Sequence, residues 1–367
     1  MHGCDRAPQG SHWLLLVPGS RGPWMAAGAT SSPLVAASGG SVAARRGRCP
    51  VVPSRAVRSC GVVAVGPSEP EHQPVLVEPI VRLLEPSAGQ VILDGTVGLG
   101  GHAAALLPRI LPGGRYIGLD LDEQMLVVAR RRLAAFGPDV VTLKTGNFED
   151  CLAVLEDLRQ QAVDHILLDL GVNSAHLADA DRWFSFDRDG PLDMRFERGG
   201  GLTAADLVNR LSERELSDVF YFNAQEAASR KIARRICQVR HGGRITTTLA
   251  LARAVESAVV AGGGWHPGKI HPATRVFQAL RIAVNCELDN LKRFLASAAR
   301  CVRPGGRLAV IAFHSLEDAL VKQAFRAGKA AGVWEELTKR PIVAEPDERS
   351  RNPRSRSAKL RVARRCA

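Results

Sequence analysis

Short apolar segments alternate with helical segments over the first half of this chain. The apolar segments are 91–94, 116–120, 140–143 and 165–169, and all but the third end in an aspartate. The stretches between them carry apolar residues at helical spacing. Strands that alternate with helices of about 10–15 residues are typical of a parallel, doubly wound sheet. We therefore predict an α/β fold built on a Rossmann-like sheet.

The alternation stops after residue 177, where a helical region follows. Four segments have helical spacing and polar faces, and they are 203–211, 212–222, 226–240 and 247–261. Thr203 and Ser212 stand where helix N-caps are expected, and Glu215 completes a capping box with Ser212. This region is predicted to be an all-helical insertion.

The α/β pattern resumes towards the C-terminus. We predict a long helix over 272–302, a turn at 303–306, a strand over 307–313, a helix over 314–329 and an edge strand over 359–363.

Composition separates a leading segment from the rest of the chain. Residues 1–68 contain seven arginines, no lysine, one acidic residue and nine serines, and they carry half of the net charge of +12. This composition is typical of an organelle transit peptide, with an untargeted disordered extension as the alternative. The serines and small residues favour a chloroplast over a mitochondrion, so we predict an organellar location. The rest is predicted to be an α/β domain in two parts, 69–180 and 269–367, divided by the insertion domain at 181–268.

The charge pattern and the cysteine spacing limit which partners and metals the chain is expected to bind. The segment 349–367 holds eight basic residues and no acidic one, which favours a polyanionic partner or a solvated basic surface equally. The eight cysteines form no C-x-x-C pair and no zinc spacing, so we predict reduced thiols and no metal site. No apolar run approaches the ~18 residues of a membrane span, so no membrane partner is expected.

A glycine-rich loop follows the first predicted strand. It reads Gly95-Thr-Val-Gly98-Leu-Gly100-Gly101, and Asp120 ends the next strand, where a carboxylate can bind ribose hydroxyls. A nicotinamide dinucleotide and S-adenosylmethionine both suit this arrangement. The glycine spacing departs from G-x-G-x-x-G, and Asp94 directly before the loop suits a cationic sulfonium.

Several longer segments resemble the RsmH (MraW) family over residues 72–364. They are His72-Gln-Pro-Val75, Asp94-Gly-Thr-Val-Gly-Leu-Gly-Gly-His102, Leu168-Asp-Leu-Gly-Val172, Phe184-Ser-Phe-Asp-Arg-Asp-Gly-Pro-Leu-Asp-Met-Arg195, His271-Pro-Ala-Thr-Arg-Val-Phe-Gln-Ala-Leu-Arg-Ile-Ala-Val-Asn285, Phe313-His-Ser-Leu-Glu-Asp318 and Arg351-Asn-Pro-Arg-Ser-Arg-Ser-Ala-Lys-Leu-Arg361. The resemblance implies a class I methyltransferase sheet and an enzyme that uses S-adenosylmethionine to methylate N4 of a cytosine in the decoding region of small-subunit ribosomal RNA. Eukaryotic members act in organelles, in agreement with the composition of residues 1–68.

The resemblance also implies which residues bind the cofactor. These positions are Gly100, Gly101, His102, Asp120, Phe148, Asp169 and His176. Relatives usually have a glutamine where this chain has His176, and the segment 172–177 departs from their pattern, which puts that cofactor contact in question.

Methylation of a cytosine amine requires a group that accepts one of the N4 hydrogens. Asp169, at the end of its strand, is the first candidate for this catalytic role. His314, at the end of the last central strand, is the second, with a helix-capping role as its alternative.

RNA binding is expected to use basic side chains. The candidates are Arg275 and Arg281 on the long helix, Arg230, Lys231, Arg234 and Arg235 in the insertion, and residues 349–365. The expected partner is small-subunit rRNA or a pre-ribosomal particle. A ribosome-assembly factor without catalysis and a dinucleotide-dependent oxidoreductase are the alternative functions, and the sequence leaves open whether the chain forms a homodimer.

Overall fold

The computed structural model describes residues 73–172, 186–197, 200–260 and 271–367. These residues belong to one compact unit, Val65–Ala367. The predicted transit peptide lies outside the described residues, and so do both ends of the predicted insertion domain. The leader and the domain boundaries therefore stay predictions.

The described residues contain one seven-stranded sheet with the order β3-β2-β1-β4-β5-β7-β6. Its strands are β1 (Val91–Asp94), β2 (Arg115–Asp120), β3 (Val141–Thr145), β4 (Val163–Asp169), β5 (Val302–Ala312), β6 (Trp334–Glu336) and β7 (Lys359–Arg365). The first five strands are parallel, whereas β7 runs antiparallel to both β5 and β6. The predicted α/β fold with a doubly wound sheet is confirmed.

Twelve α-helices occur in the described part of the chain. They are α1 (Val77–Leu84), α2 (Gly101–Ile110), α3 (Glu123–Leu133), α4 (Cys151–Asp157), α5 (Ala204–Arg210), α6 (Glu213–Ala224), α7 (Ser229–His241), α8 (Thr248–Val260), α9 (Ala273–Val284), α10 (Glu287–Cys301), α11 (Ser315–Ala330) and α12 (Pro346–Arg351). None of them is long and apolar enough to cross a membrane.

Both faces of the sheet are covered, because neighbouring strand residues enter different hydrophobic clusters. Ile92 of β1 and Leu167 of β4 pack with α1, α2 and α3, whereas Leu93 and Leu168 pack with α4, α10 and α11. Strands buried on both faces read as continuous apolar runs, which is why β1 and β4 stand out in the sequence. A third cluster joins helices α5 to α8 with α9. The predicted caps are present, since Thr203 and Ser212 each form a capping box.

The predicted long helix over 272–302 is wrong, because the chain forms two helices there. Cys286, between α9 and α10, has a left-handed backbone with φ 51°. The Asn285 side chain forms hydrogen bonds to a distant segment, with Nδ2 donating to the Met194 carbonyl at 2.8 Å and Oδ1 accepting from the Phe196 amide at 2.9 Å. These tertiary contacts favour the break, and helical periodicity cannot reveal them.

Two predictions near the C-terminus are also corrected. The predicted turn at 303–306 lies within β5, where the pairing with β4 shifts register between Val163 and His165. The predicted edge strand is interior, because the short β6 pairs along its outer side. Its buried Arg361 forms an ion pair with Asp318 at 2.6 Å, so a basic residue does not mark a solvent edge here.

The packing of Gly328 in α11 yields a stability prediction. A Cβ at this position would lie 2.2 Å from Trp334 Cδ1. Alanine normally stabilises a helix interior relative to glycine by about 1 kcal/mol. We expect Gly328→Ala instead to lower the free energy of unfolding by about 1–3 kcal/mol, because overpacking outweighs helix propensity. Urea unfolding measures this, with Ala327→Gly as the propensity control on the same helix. A more stable Gly328→Ala variant would contradict the prediction.

Candidate functional site

A cavity opens at the carboxyl ends of the central strands, where β1 lies between β2 and β4. Ligands of doubly wound sheets bind at this switch point. The cavity is lined by the loops that follow β1, β2, β3, β4 and β5, and by residues of the segments near 74, 196, 285–291 and 354. Gly101, His102, Asp120, Phe148 and Asp169 all line it. The structure thus brings together five of the predicted site residues.

The loop after β1 leaves no room for a side chain at its first position. A Cβ on Gly95 would lie 2.4 Å from Leu168 Cδ2 and 2.7 Å from Phe148 Cβ. Gly98 has a positive φ of 51°, and its amide donates to Asp120 Oδ2 at 2.8 Å. The loop backbone is therefore packed closely against Leu168 and Phe148, and both glycines line the cavity.

The two predicted glycines at the start of α2 have different environments. Gly101 lines the cavity and packs against Pro74, which a Cβ would approach to 3.1 Å. Gly100 is the left-handed N-cap of α2 with φ 77°, lies against Leu133 and is not among the cavity-lining residues. The cofactor contact expected of Gly100 stays a prediction, and its observed place is that of a turn residue.

Asp120 connects the end of β2 to the glycine-rich loop. Besides the Gly98 amide, its carboxylate accepts the Asp122 amide at 2.9 Å through Oδ1. Phe148 follows β3 and packs edge-to-face on Phe294, with ring centroids 5.7 Å apart. A carboxylate and an aromatic ring thus face one end of the cavity, as expected for a ribose and an adenine.

Asp94 does not face the cavity, which corrects the expectation that it holds a cationic ligand directly. Its side chain is buried, and Oδ2 accepts the Tyr116 hydroxyl at 2.5 Å while Oδ1 accepts the Thr96 amide at 3.0 Å. Burial raises the pKa of Asp94. This carboxyl group therefore supports the loop from below.

Asp169 lines the cavity, and one of its two carboxylate oxygens has no hydrogen-bond partner in the described residues. Its Oδ2 lies 3.7 Å from His102 Nδ1, whereas Oδ1 is buried and has no hydrogen-bond partner in the described part of the chain. His102 is oriented by a 2.9 Å hydrogen bond between Nε2 and the Val75 carbonyl. Burial raises the pKa of Asp169 to about 6, partly opposed by His102. A buried carboxylate with an unused oxygen can accept a hydrogen bond from a ligand amine.

His314 is placed in a helix cap rather than in the cavity lining. Its Nδ1 accepts the Glu317 amide at 3.4 Å, and its Nε2 lies 3.1 Å from Glu317 Oε1. Glu317 lines the cavity and also accepts the Phe313 amide at 2.8 Å. Burial acts to raise the pKa of Glu317, but the hydrogen bond and charge of His314, with the charge of Arg281, hold that pKa below its ordinary value. The geometry matches the capping alternative for His314.

The break between α9 and α10 contributes residues that helical periodicity did not predict. Four residues at and after the break line the cavity, where one helix ends at Val284 and the next begins at Glu287: Asn285, Glu287, Asn290 and Leu291. An asparagine, a poor helix former, followed by an acid at a helix start is the signal that could have indicated the break.

The basic candidates divide into exposed and structural residues. Arg230, Lys231, Arg234, Arg235 and Arg275 are exposed. Arg281 is not available for phosphates, because it forms a two-bond ion pair with Glu287 at 2.8 and 2.9 Å.

The basic segment 349–365 is largely used within the fold. Arg361 pairs with Asp318, Arg364 with Glu335 at 2.9 Å through Nε, and Arg365 donates to the Val302 carbonyl. Arg354 lines the cavity, donates to the Val172 carbonyl and interacts electrostatically with Asp169. The charge pattern alone did not indicate that Arg354 would lie in the site beside Asp169.

His176 lies outside the described residues, as does the rest of the segment 173–185. Its predicted cofactor contact therefore stays a prediction.

The geometry of Asp169 makes the stability of the fold depend on pH. A carboxyl group has a pKa of about 4 in an unfolded chain, against about 6 here. The fold therefore disfavours the ionised form, and its stability falls as pH rises from about 4 to about 6. Since about 20% of the side chain is exposed, solvent reduces the effect.

We expect Asp169→Asn to raise the free energy of unfolding by about 1–3 kcal/mol above pH 6, with the gain vanishing below pH 4. Denaturant unfolding at a series of pH values measures this difference. A gain that is the same at every pH would show that the effect is steric.

Comparisons with known proteins show the family to which the chain belongs. The MraW methylase family matches residues 69–366. The chain is 47% identical to ribosomal RNA small subunit methyltransferase H of Syntrophotalea carbinolica over 311 residues, which cover 80% of this chain and 98% of that protein. It is 48% identical to the enzyme of the same name from Sorangium cellulosum over 299 residues, which cover 82% and 92%. Among solved structures, Aeropyrum pernix fibrillarin with natively bound S-adenosyl-L-methionine has a TM-score of 0.33 and 10% identity, covering 76% of this chain and 67% of that one.

Proposed function

Because this chain belongs to the MraW methylase family, we propose that it methylates small-subunit ribosomal RNA at N4 of a cytosine in the decoding region, inside an organelle. One observation carries the proposal: Asp169, whose Oδ1 has no hydrogen-bond partner in the described part of the chain, lines a cavity at the switch point of the sheet. The names of the two bacterial relatives support rRNA as the substrate. The composition of residues 1–68 supports the organelle, with a chloroplast favoured.

S-adenosylmethionine is the cofactor, and the residues of the cavity fit it. Gly95 and Gly98 line the cavity, and Gly95 can carry no side chain because a Cβ there would clash with Leu168 and Phe148. Asp120 would hold the ribose, Phe148 would face the adenine, and the carboxylate of Asp169 would lie near the sulfonium. When bound, the cofactor supplies an electrophilic methyl group. Membership of a methylase family removes the dinucleotide-dependent oxidoreductase as an alternative.

Asp169 performs the protein's part in the chemistry. The cytosine amine is a weak nucleophile because its lone pair is delocalised into the ring. An acceptor on the Asp169 carboxylate aligns the amine by a hydrogen bond, and the amine must lose one proton as its nitrogen gains the methyl group. A pKa of about 6 keeps Asp169 largely ionised at neutral pH, so that it can accept this hydrogen. His102 restrains the other oxygen.

RNA contacts are assigned to exposed basic side chains. Helix α7 presents Arg230, Lys231, Arg234 and Arg235, and Arg275 lies on α9. Contacts of this type bind phosphates without reading sequence. The shape of a partly assembled ribosomal subunit then supplies the selectivity.

Transfer of tritium from labelled S-adenosylmethionine tests the proposal. The full chain is incubated with organellar small-subunit particles that lack the modification, and the labelled nucleoside is identified. We expect label in N4-methylcytidine. Label in another nucleoside would contradict the N4 assignment. Particle binding without label would favour the assembly-factor alternative.

Two matched variants separate the two predicted catalytic residues. Asp169→Asn keeps the shape of the side chain but removes the anionic acceptor, and we expect turnover to fall by about 10²–10⁴-fold. His314→Asn retains an N-cap acceptor, and we expect its turnover to stay within a few-fold of the parent.

Cofactor affinity is measured alongside by calorimetry, to show that the cavity is intact. Full turnover in Asp169→Asn, or a large loss in His314→Asn with normal stability, would reverse the assignment. In the parent protein, turnover should decline as pH falls through about 6, where Asp169 becomes protonated.

A further inference from the structure

Two adjacent aromatic side chains project from the end of α6 into solvent. Tyr221 is 55% exposed and Phe222 is 62% exposed. Their rings contact each other edge-to-face, with centroids 5.3 Å apart. The buried side of α6 is formed by Leu216, Ser217 and Phe220, so the pair is not part of the core. We call Tyr221 and Phe222 the aromatic patch.

The aromatic patch lies at the end of the α6–α7 hairpin that touches the catalytic half of the protein. Gln225 ends α6 with a left-handed backbone, and its Oε1 accepts the Ser315 hydroxyl at 3.4 Å. Ser315 begins α11 two residues after Phe313, which lines the cavity. The end of the hairpin that carries the patch therefore contacts the start of α11, next to a residue that lines the cavity.

The same end of the hairpin is basic. Helix α7 carries five arginine and lysine residues and no acidic one. It pairs antiparallel to α6, with Ser229 Oγ 3.3 Å from Ser217 Oγ and Arg234 3.3 Å from Glu213. This pairing places the exposed Arg230 and Lys231 at the end of the hairpin that carries the patch.

We propose that the aromatic patch stacks on an unpaired base of the RNA substrate beside the target nucleotide, while Arg230 and Lys231 contact the adjoining phosphates. Exposed aromatic rings next to basic side chains are the usual means of holding single-stranded nucleic acid. Bases within a duplex have no free face, so the occupant is single-stranded RNA. This inference rests on the proposed function, since it takes RNA as the substrate.

A second copy of the chain fits the patch less well. In a two-fold symmetric dimer the same surface meets itself, so the basic end of one hairpin would face that of the other. Two side chains also provide far less than the ~800 Å² that each partner of a stable interface buries. RNA instead complements both the charge and the small apolar area.

Binding of the full chain to a short single-stranded oligoribonucleotide tests the inference, with its duplex as the comparison. The variants are Tyr221→Ala/Phe222→Ala, the stacking-competent Tyr221→Phe/Phe222→Trp, and Leu202→Ala as an exposed apolar control elsewhere. We expect the double alanine variant to bind single strands about tenfold more weakly at every salt concentration. The aromatic variant and the Leu202 control should bind like the parent, and duplex binding should not change.

The salt dependence of RNA binding distinguishes base stacking by the patch from phosphate contacts by the basic residues. Arg230→Gln/Lys231→Gln should reduce the slope of log Kd against log salt, whereas the double alanine variant should keep the parental slope. Unchanged single-strand affinity in the double alanine variant would overturn the inference. So would a concentration-dependent dimer of the parent that this variant abolishes.

Methyl transfer by the parent chain is measured independently. Transfer that persists while the patch proves irrelevant would reject this inference and leave the proposed function standing. Patch-dependent RNA binding without transfer would support the inference and reject the catalytic proposal.

Discussion

The glycine-rich loop after the central strand is fastened to both neighbouring strands, and the rest of the site depends on this. The Thr96 hydroxyl accepts the Asp169 amide at 2.6 Å, which ties the loop to the end of β4. The Gly98 amide donates to Asp120, which ties it to the end of β2. The loop can pack this closely against Leu168 and Phe148 only because position 95 has no side chain. The loop and the strand ends that carry Asp120 and Asp169 are thus fixed relative to one another by hydrogen bonds between backbone amides and side chains.

Asp94, Asp169 and Glu317 lie near this loop, and their partners give them different roles. Asp94 is satisfied by Tyr116 and Thr96, and Glu317 by the amides at the start of α11 and by His314. Asp169 alone of these three keeps a buried oxygen without a hydrogen-bond partner in the described residues. Environments that separate the pKa values of neighbouring acids are how a site assigns structural and chemical roles. This difference supports the chemical role proposed for Asp169, while the other two acids hold the loop and the helix in place.

The sequence predicted the parts of the site that depend on local pattern. The pattern of strands and loops indicated Asp120, and the family resemblance indicated Phe148 and Asp169. It could not predict contacts between distant segments. Asn285 lines the cavity because a helix breaks to bond the segment 194–196, and Arg354 because the C-terminal segment folds back over β4. The residue type of His314 alone could not separate a catalytic role from a helix-capping role, and in the structure it caps a helix.

The start of the described α/β region, residues 73–76, meets the C-terminal segment 348–354 beside the cavity. Glu348 accepts the Leu76 amide at 2.7 Å, and Asn352 donates to the Gln73 carbonyl at 2.9 Å, so the C-terminal segment packs on the residues that support His102. Arg354, in the next turn, then lies beside Asp169. Much of the basic charge near the C-terminus is therefore used to complete the site and to join β7 to the sheet. The charge that is exposed and concentrated on one helix is that of α7, next to the aromatic patch. The division of basic residues into a structural set and an exposed set explains why RNA binding is assigned to the hairpin rather than to the C-terminus.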